Sequence, residues 1–278
     1  MTEERAFEGW DDVDSTGGAD SFRDYLQTVT GVESVRALKR RSYELLSPAA
    51  GERLVDVGCG TGDDVGTLVS AVGPDGAVVG VDNSSEMVET ARERAGDESA
   101  VSFRVADAES LPFDDDAFDG ARADRVLQHL EWPREAFAEL CRVTGPGGRV
   151  VVTDSDWGTL AVDAPEAELD GLTARILDPE WSCARNGRLG RRLRRWAADA
   201  GLSAVDVDAG TIAVDGFETA DEVLGLTGRV ETMCEAGALS AEEGERWLEA
   251  LREADESHRF FSSLSLVTVA GTVPDASE

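Results

Sequence analysis

Leu54-Val55-Asp56-Val57-Gly58-Cys59-Gly60-Thr61-Gly62-Asp63 is the stretch that predicts how this chain folds and where it binds a ligand. An apolar strand runs into three glycines at alternate positions, and a helix is expected to follow. Such glycines let the backbone pass close beneath a ligand at the carboxyl end of a sheet. The next predicted strand closes on Asp82, whose carboxylate can accept hydrogen bonds from both hydroxyls of a ribose. The pattern predicts a nucleoside-binding site.

Strands and helices alternate on both sides of this turn. Predicted strands cover residues 53–57, 77–82, 101–106, 118–123 and 149–154, and predicted helices cover 63–72, 85–94 and 134–143. This alternation is typical of a doubly wound α/β domain, in which helices cover both faces of a parallel sheet. Beyond residue 157 the pattern loosens, and it predicts helices at 165–177, 189–200, 218–236 and 241–256 and strands at 203–208 and 260–273.

The charge of the chain excludes several partners. Its 278 residues include 57 acidic and 26 basic side chains, which gives a formal net charge of −31. Such a surface repels phosphate backbones and anionic lipids, so we expect no nucleic-acid or membrane partner. Lys39 is the single lysine, and this composition resembles that of proteins from salt-loving microbes, where counter-ions screen the repulsion. We interpret the bias as a sign of a halophilic habitat and not of function.

Cysteines and chain ends indicate the cellular setting. The four cysteines lie far apart in the sequence and lack metal-type spacing, so no metal site is predicted. No signal peptide or membrane span is visible, which predicts a cytoplasmic protein. The sequence predicts a flexible acidic arm at residues 1–20 and a single domain at residues 21–278. Within that domain, cap helices are predicted at 21–47, and the helices of a substrate lid are predicted within 157–257. The oligomeric state, monomer or dimer, is left open.

Two nucleoside-type ligands fit the glycine turn. A dinucleotide favours G-x-G-x-x-G, with its pyrophosphate on the helix N-terminus. This chain has G-x-G-x-G followed by Asp63 and Asp64, whose charges would repel a pyrophosphate. Asp56 before the turn suits a ligand with an ammonium group, and S-adenosylmethionine has an amino acid, a sulfonium and a ribose but no phosphate. The pattern therefore favours S-adenosylmethionine over NAD.

The glycine-rich segment resembles the first motif of class I S-adenosylmethionine-dependent methyltransferases, and four later segments resemble further motifs of that family. In chain order these are residues 80–87, 103–113, 118–130 and 145–149. The likeness covers about residues 35 to 157, and it is strongest to the branch that methylates quinones and other small molecules. The resemblance implies a seven-stranded Rossmann-like sheet in the order 3-2-1-4-5-7-6, with residues 260–273 as the antiparallel seventh strand.

The resemblance also implies a set of cofactor-binding residues. In the family, the acid of the second strand holds the ribose, a methionine packs near the adenine, and the third-strand aspartate with the next amide reads the adenine edge. Carried onto this chain, the set is Asp56, Gly58, Cys59, Gly60, Asp82, Asn83, Met87, Asp107, Ala108, Asp124 and Arg125. The implied function is transfer of a methyl group from S-adenosyl-L-methionine to a small-molecule acceptor.

His129 is the candidate catalytic residue. It follows the fourth strand by a few residues, on the side where substrate is expected. An unperturbed imidazole pKa near ~6.5 suits proton removal at neutral pH. The alternative is that His129 is a packing residue. The second histidine, His258, lies just before the last strand and is left outside the predicted site.

Other polar residues have two interpretations each. Lys39 either approaches the cofactor carboxylate or decorates a helix. A group of arginines at helical spacing either binds an anionic substrate or forms a solvated basic face. A group of residues that leaves the fifth strand either faces the substrate or has no role in binding. Their members are Arg188, Arg191, Arg192 and Arg195, and Asp154, Asp156 and Trp157.

Two rival functions are compatible with the same sequence. One is methylation of RNA or protein, although the N/D-P-P-Y signature of many nucleic-acid amino methyltransferases is absent after the fourth strand, where the chain reads Ala123-Asp124-Arg125-Val126. The net charge also opposes an RNA partner. The other is a non-catalytic module that binds S-adenosylmethionine, with which the intact glycine motif is equally compatible.

Overall fold

A computed structural model of the protein describes Asp14, Tyr25 and residues 28–275. Apart from Asp14, the predicted acidic arm at 1–20 lies outside the described residues, and so does much of the helix predicted before residue 30. Within the described part of the chain, no helix combines the length and the apolar character that a membrane span requires.

Seven strands form one sheet. They are β1 Arg53–Val57, β2 Ala77–Asp82, β3 Val101–Val105, β4 Phe118–Asp124, β5 Thr144–Val162, β6 Ser203–Val214 and β7 Ser262–Thr272. Their order is β3-β2-β1-β4-β5-β7-β6. The first five strands pair in parallel, and β7 lies antiparallel between β5 and β6. The predicted α/β fold, the strand order and the antiparallel last strand are confirmed.

Between Glu33 and Glu256, nine α-helices connect or cover the strands. They are α1 Glu33–Leu46, α2 Asp63–Val72, α3 Ser85–Ala95, α4 Pro133–Val143, α5 Asp170–Ile176, α6 Leu193–Asp199, α7 Phe217–Leu224, α8 Leu226–Glu235 and α9 Ala241–Glu256. The single helix predicted at 218–236 is two helices, because Gly225 between α7 and α8 adopts a left-handed conformation with φ 65°.

Two strands are longer than the local pattern predicts. β5 continues to Val162 instead of ending at Asp154, and β6 continues to Val214. Both extensions pair with the first half of β7, with Val162 and Val214 each opposite Ser262. The lengths of β5 and β6 are therefore set by their pairing with β7. Because β7 comes last in the chain, the local sequence of β5 and β6 does not reveal this pairing.

The apolar core has three clusters of buried side chains. One packs α1, α2 and α3 on one face of the sheet, and a second packs α4 and α6 on the other face. The third joins α5, α7, α8 and α9 to the extended halves of β5, β6 and β7. Because the first two clusters fix the parallel strands from both faces, the carboxyl ends of these strands form one rigid edge.

The glycine turn after β1 lies at this edge. Gly58, Gly60 and Gly62 have φ values of 73°, 49° and 79°, a region that side chains disfavour. The turn is tied to β2, because the amides of Gly58 and Cys59 donate to the Val81 carbonyl at 2.7 and 2.9 Å. A Cβ atom at Gly58 would overlap the Val126 side chain, which follows β4. The turn therefore requires glycine at this position.

Gly58→Ala should lower the free energy of unfolding by about 2–4 kcal/mol, because it combines an unfavourable φ with overpacking against Val126. Gly66→Ala is the matched control: Gly66 is exposed within α2, and an added Cβ meets nothing within 4 Å. The control should gain about 0.5–1 kcal/mol. Urea titrations of both variants and the wild type test this, and equal stability of Gly58→Ala and wild type would contradict it.

Candidate functional site

A cleft opens at the carboxyl ends of β1, β2, β3 and β4. It encloses about 1100 Å³, counting the solvent at its mouth. All predicted site residues except Asp56 line it. They are Gly58, Cys59, Gly60, Asp82, Asn83, Met87, Asp107, Ala108, Asp124, Arg125 and His129. The structure therefore brings together side chains that the sequence separates by more than seventy positions.

Asp82 joins the end of β2 to the glycine turn. Its Oδ2 accepts a hydrogen bond from the Gly60 amide at 2.8 Å, and its Oδ1 accepts one from the Ser84 amide at 3.0 Å. Burial raises the pKa of Asp82, and the two amides oppose that shift. Because each carboxylate oxygen has two lone pairs, both oxygens keep acceptor capacity for a ligand.

The far wall of the cleft comes from α3 and the segment after β3. Met87 is buried there, held in the first turn of α3, where its amide donates to the Ser84 hydroxyl at 3.1 Å. Asp107 is exposed, and its Oδ1 accepts a hydrogen bond from the Glu109 amide at 2.8 Å. Ala108 beside it is buried. This wall is apolar in its depth and polar at its rim, which suits a flat heterocycle.

A buried arginine lies beneath the cleft and was not singled out from the sequence. Arg122 in β4 is 1% exposed. Its Nη1 lies 2.9 Å from Asp56 Oδ1 and 3.0 Å from Asp64 Oδ2, and its Nη2 lies 2.6 Å from Asp124 Oδ2. Burial raises the pKa of Asp56 to about 6, and Arg122 opposes that shift. Asp56 therefore forms an ion pair with Arg122 and does not line the cleft. This differs from its predicted role, in which it contacts the cofactor directly.

The acidic start of α2 is also neutralised. Lys39 Nζ lies 2.8 Å from both oxygens of Asp64, and the Tyr43 hydroxyl donates to the same carboxylate at 2.5 Å. Although burial acts in the opposite direction, Arg122 and Lys39 lower the pKa of Asp64. Asp63 pairs with Arg94 at 3.1 Å. From the sequence, Asp63 and Asp64 are expected to repel a pyrophosphate. Their cationic partners reduce that repulsion, so the spacing of the glycines is the remaining argument against NAD.

Arg125 adopts an unusual backbone conformation at the end of β4. Its φ is 58°, which is rare for a residue with a long side chain, and its amide donates to the Thr153 carbonyl at 2.7 Å. Its Nε lies 3.1 Å from Asp124 Oδ1, and its side chain also hydrogen-bonds Tyr25. Backbone strain of this kind persists only where the surrounding structure enforces it. At Arg125, the hydrogen bonds to Thr153, Asp124 and Tyr25 enforce the conformation and fix the position of the guanidinium.

His129 differs from the expected general base. Burial and the positive charge of Arg125 lower its pKa to about 3, so the imidazole is neutral at physiological pH. Its Nε2 lies 3.0 Å from the Gln128 side-chain amide, which donates to a neutral ring. This corrects the expected pKa near ~6.5, because the sequence does not show that the ring is enclosed beside a guanidinium.

A second cavity adjoins the cleft. It is much smaller than the cleft: with the solvent at its mouth counted, it spans about 380 Å³. Four residues line both cavities: Tyr25, Arg125, Gln128 and His129. The rest of its wall is mostly apolar and comes from several elements, with Val29, Ser155, Trp157, Cys183, Ile212, Val223 and Leu264. We call this cavity the chamber. The four shared residues form the boundary between the chamber and the cleft.

The three residues that the sequence predicts to leave the fifth strand lie within the longer β5, and their surroundings differ. Trp157 lines the chamber, and its Nε1 donates to Gln128 Oε1 at 3.2 Å. Asp154 is fully buried behind that wall, where burial raises its pKa well above the ordinary value. Asp156 is bonded to Arg191 at 2.5 Å. Neither aspartate lines the cleft or the chamber.

The predicted arginine group lies outside both cavities. Arg191 pairs with Asp156, and Arg188 lies 3.8 Å from Asp178. Arg192 in its short helix is not among the lining residues, and Arg195 in α6 is exposed. Their surroundings favour the interpretation as a basic surface that offsets neighbouring acids.

Solved structures with the same fold are methyltransferases and related proteins. The YcgJ protein of Bacillus subtilis is 21% identical at a TM-score of 0.56, over 86% of this chain and 98% of that one. Geranyl diphosphate C-methyltransferase of Streptomyces coelicolor, solved with S-adenosyl-L-homocysteine, is 20% identical at 0.51, over 86% and 80%. The [4+2]-cyclase SpnF is 23% identical at 0.53, over 87% and 82%. At these identities the likeness shows the fold alone.

Sequence relatives cover most of the chain. An uncharacterised 37.1 kDa protein from transposon TN4556 of Streptomyces fradiae is 40% identical over 252 residues, which are 90% of this chain and 71% of that protein. An O-methyltransferase of Penicillium expansum is 33% identical over 71% of this chain and 64% of its own length. The family model for the methyltransferase domain matches residues 48–201. Because this match spans more than half of the sequence, the chain belongs to the methyltransferase-domain family.

Proposed function

We propose that the protein transfers a methyl group from S-adenosylmethionine to a small-molecule acceptor. The observation that carries this proposal is that the cleft and the chamber adjoin and share four wall residues, Tyr25, Arg125, Gln128 and His129. A donor bound in the cleft and an acceptor bound in the chamber would meet at these four side chains. Helix α7, whose Val223 lines the chamber, would belong to the lid that the sequence predicts within residues 157–257.

The residues of the cleft fit the proposed cofactor. Gly58 leaves the backbone open beneath a ligand where a Cβ has no room, and Asp82 offers acceptors for ribose hydroxyls. Lys39 lines the cleft and could exchange its contact with Asp64 for the carboxylate of the methionine part. Met87 and Ala108 would pack against the adenine. Bound there, S-adenosylmethionine supplies an electrophilic methyl carbon on its sulfur.

The chain itself would mainly orient the acceptor and exclude water. Alignment of a nucleophile with the S–CH₃ bond accounts for much of the rate in such a transfer. His129, neutral with a pKa of about 3, is a hydrogen-bonding group and a poor base. Tyr25 is neutral as well, because burial raises its pKa to about 12. We therefore propose that His129 positions the acceptor instead of removing its proton.

The rival functions fit the site less well. The chamber is small and enclosed by apolar side chains, whereas a polymer substrate needs an open groove, and RNA would also face a chain of net charge −31. The O-methyltransferase relative supports a small oxygen-containing acceptor. A non-catalytic or differently catalytic role is the second candidate, because the [4+2]-cyclase has the same fold.

Binding and turnover test the proposal directly. Calorimetry should show S-adenosylhomocysteine binding in the micromolar range and no binding of NADH. Incubation with S-adenosylmethionine and a panel of small acceptors should release S-adenosylhomocysteine, whereas RNA and protein acceptors should give none. Tight NADH binding would refute the cofactor assignment. Cofactor binding without turnover on any acceptor would favour the non-catalytic role.

Asp82→Asn should weaken S-adenosylhomocysteine binding by at least about 10-fold. The variant keeps an oxygen for the Gly60 amide but loses the charge, and hydrogen bonds to charged groups are worth about 1.5–3 kcal/mol. Asp75→Asn is the matched control, because it removes one exposed charge from the turn before β2. Calorimetry on both variants tests this, and an unchanged affinity in folded Asp82→Asn would rule out the ribose contact.

The imidazole of His129 should remain neutral down to pH 5, because its pKa is about 3. The chain has two histidines, so a ¹H–¹³C spectrum of the tag-free protein should show two ring signals. His129→Asn should remove a signal that stays unchanged between pH 8 and 5, and His258→Asn, at an exposed position, should leave that signal in place. A titration midpoint of the His129 signal between pH 6 and 7 would restore its candidacy as a general base.

A further inference from the structure

Resting on the proposed function, we infer that the methyl acceptor carries a carboxylate group, and that Arg229, which lies behind Trp157 of the chamber wall, binds it. The inference names the chemical class of the acceptor: a small, mostly apolar acid. Arg229 lies in α8, far from every motif of the sequence, and has no role in the proposed transfer itself.

Arg229 is a buried cation with unused hydrogen-bond donors. It is 4% exposed, and its Nη1 donates to the carbonyls of Ile176 at 3.2 Å and Asp178 at 3.0 Å. Its Nε and Nη2 are also buried, and neither has a hydrogen-bond partner in the described structure. These two nitrogens share one edge of the guanidinium, where parallel N–H groups match the two oxygens of a carboxylate.

The guanidinium lies behind the chamber wall, next to two of the residues that line the chamber. Its Cζ is 5.7 Å from the centroid of the Trp157 ring, and its charge acts on the Cys183 thiol. Both Trp157 and Cys183 line the chamber. The free N–H groups are closed to water in this structure, so a carboxylate would reach them through a shift of Trp157, whose indole is held by its bond to Gln128.

Among the residues that the structure describes, none forms an ion pair with Arg229, and only the charge of Asp178 acts favourably on it from a distance. Burial lowers its pKa to about 10, so it stays protonated at neutral pH. Arg125 has Asp124 as its ion partner, and the Cys183 thiol is neutral because burial raises its pKa to about 12. Asp178, the carboxylate that acts on Arg229, accepts the Glu180 amide and lies 3.8 Å from Arg188 instead.

An uncompensated buried charge is costly, at several kcal/mol per ion after relaxation. This chain has 57 acidic residues from which a partner could have been supplied, and Arg122 shows that it does supply them elsewhere. The absence of an ion pair to Arg229 among the described residues therefore indicates that the partner comes with the ligand. The apolar lining by Val223 and Leu264 indicates that the rest of that ligand is apolar.

Matched pairs of acids and amides test the inference. Acetate, propionate and benzoate are compared with acetamide, propionamide and benzamide, using ligand-observed NMR on the full chain saturated with S-adenosylhomocysteine. At least one acid should bind about 10-fold more tightly than its amide, the value expected for one charged hydrogen-bonding contact. In Arg229→Gln that preference should fall to less than about 3-fold, while the affinity for S-adenosylhomocysteine stays within about 2-fold of wild type.

Two further variants serve as controls. Arg252→Gln removes an exposed cation that also lies over an aromatic ring, at 5.2 Å from the Phe217 centroid, and it should keep the full preference. Arg229→Lys keeps the charge without the two-pronged edge and should retain part of the preference, which covers the case in which Arg229→Gln does not fold. An arginine with a purely structural role would lower the melting temperature when replaced and would leave the acid-to-amide ratio unchanged.

The outcomes separate this inference from the proposed function. A wild-type protein that binds S-adenosylhomocysteine but prefers none of the acids overturns the carboxylate and leaves methyl transfer in place. A preference that persists in Arg229→Gln but disappears in Arg125→Gln also overturns it, because the anchor would then be Arg125. Failure to bind S-adenosylhomocysteine at all would instead refute the proposed function.

Discussion

The buried side chain of Arg122 is the interaction on which the site depends. It ties together four elements beneath the cleft: Asp56 at the end of β1, Asp124 at the end of β4, Asp64 in α2 and the Ser42 hydroxyl in α1. Loss of one partner from such a buried cluster costs about 3–5 kcal/mol, because it leaves a charge uncompensated. Strands β1 and β4 are therefore held together by charge as well as by backbone pairing.

The cluster also determines what the cleft can hold. Its three carboxylates are matched by three cations, Lys39, Arg122 and Arg125, so the floor of the cleft is close to neutral within a strongly acidic protein. Lys39 and Arg125 both line the cleft, where a ligand can compete for them. A zwitterionic amino acid suits such a floor, because its carboxylate and ammonium can replace protein partners of the same sign.

Much of the fold and of the candidate site could be predicted from the sequence, because the segments that form them are continuous in the chain. The strand, glycine turn and helix at 53–72 are consecutive, and so is the second strand that ends in Asp82. The residues lining the cleft follow from the rule that parallel strands end at one edge. The lengths of β5 and β6 could not be predicted, because their partner β7 comes last in the chain.

The errors within the site have the same origin. Asp56 and Asp64 are adjacent to the turn, but the cations that neutralise them come from α1 and from β4. The low pKa of His129 depends on enclosure beside Arg125, which only tertiary structure supplies. The branch of the family, the halophilic habitat and the cytoplasmic location rest on composition and resemblance, and they stay predictions.

Arg122 and Arg229 are two buried arginines with opposite surroundings, and the contrast separates structural from functional burial. Arg122 has three carboxylate partners and an aromatic ring, so its charge is fully used within the fold. Arg229 has two carbonyls and an aromatic ring, and one edge of its guanidinium has no hydrogen-bond partner among the described residues. The same chain thus satisfies one buried cation completely and leaves the other incomplete beside the chamber. A buried cation without a carboxylate partner lowers the free energy of unfolding. A ligand that supplies the carboxylate would remove this cost, and the difference would contribute to the free energy of binding.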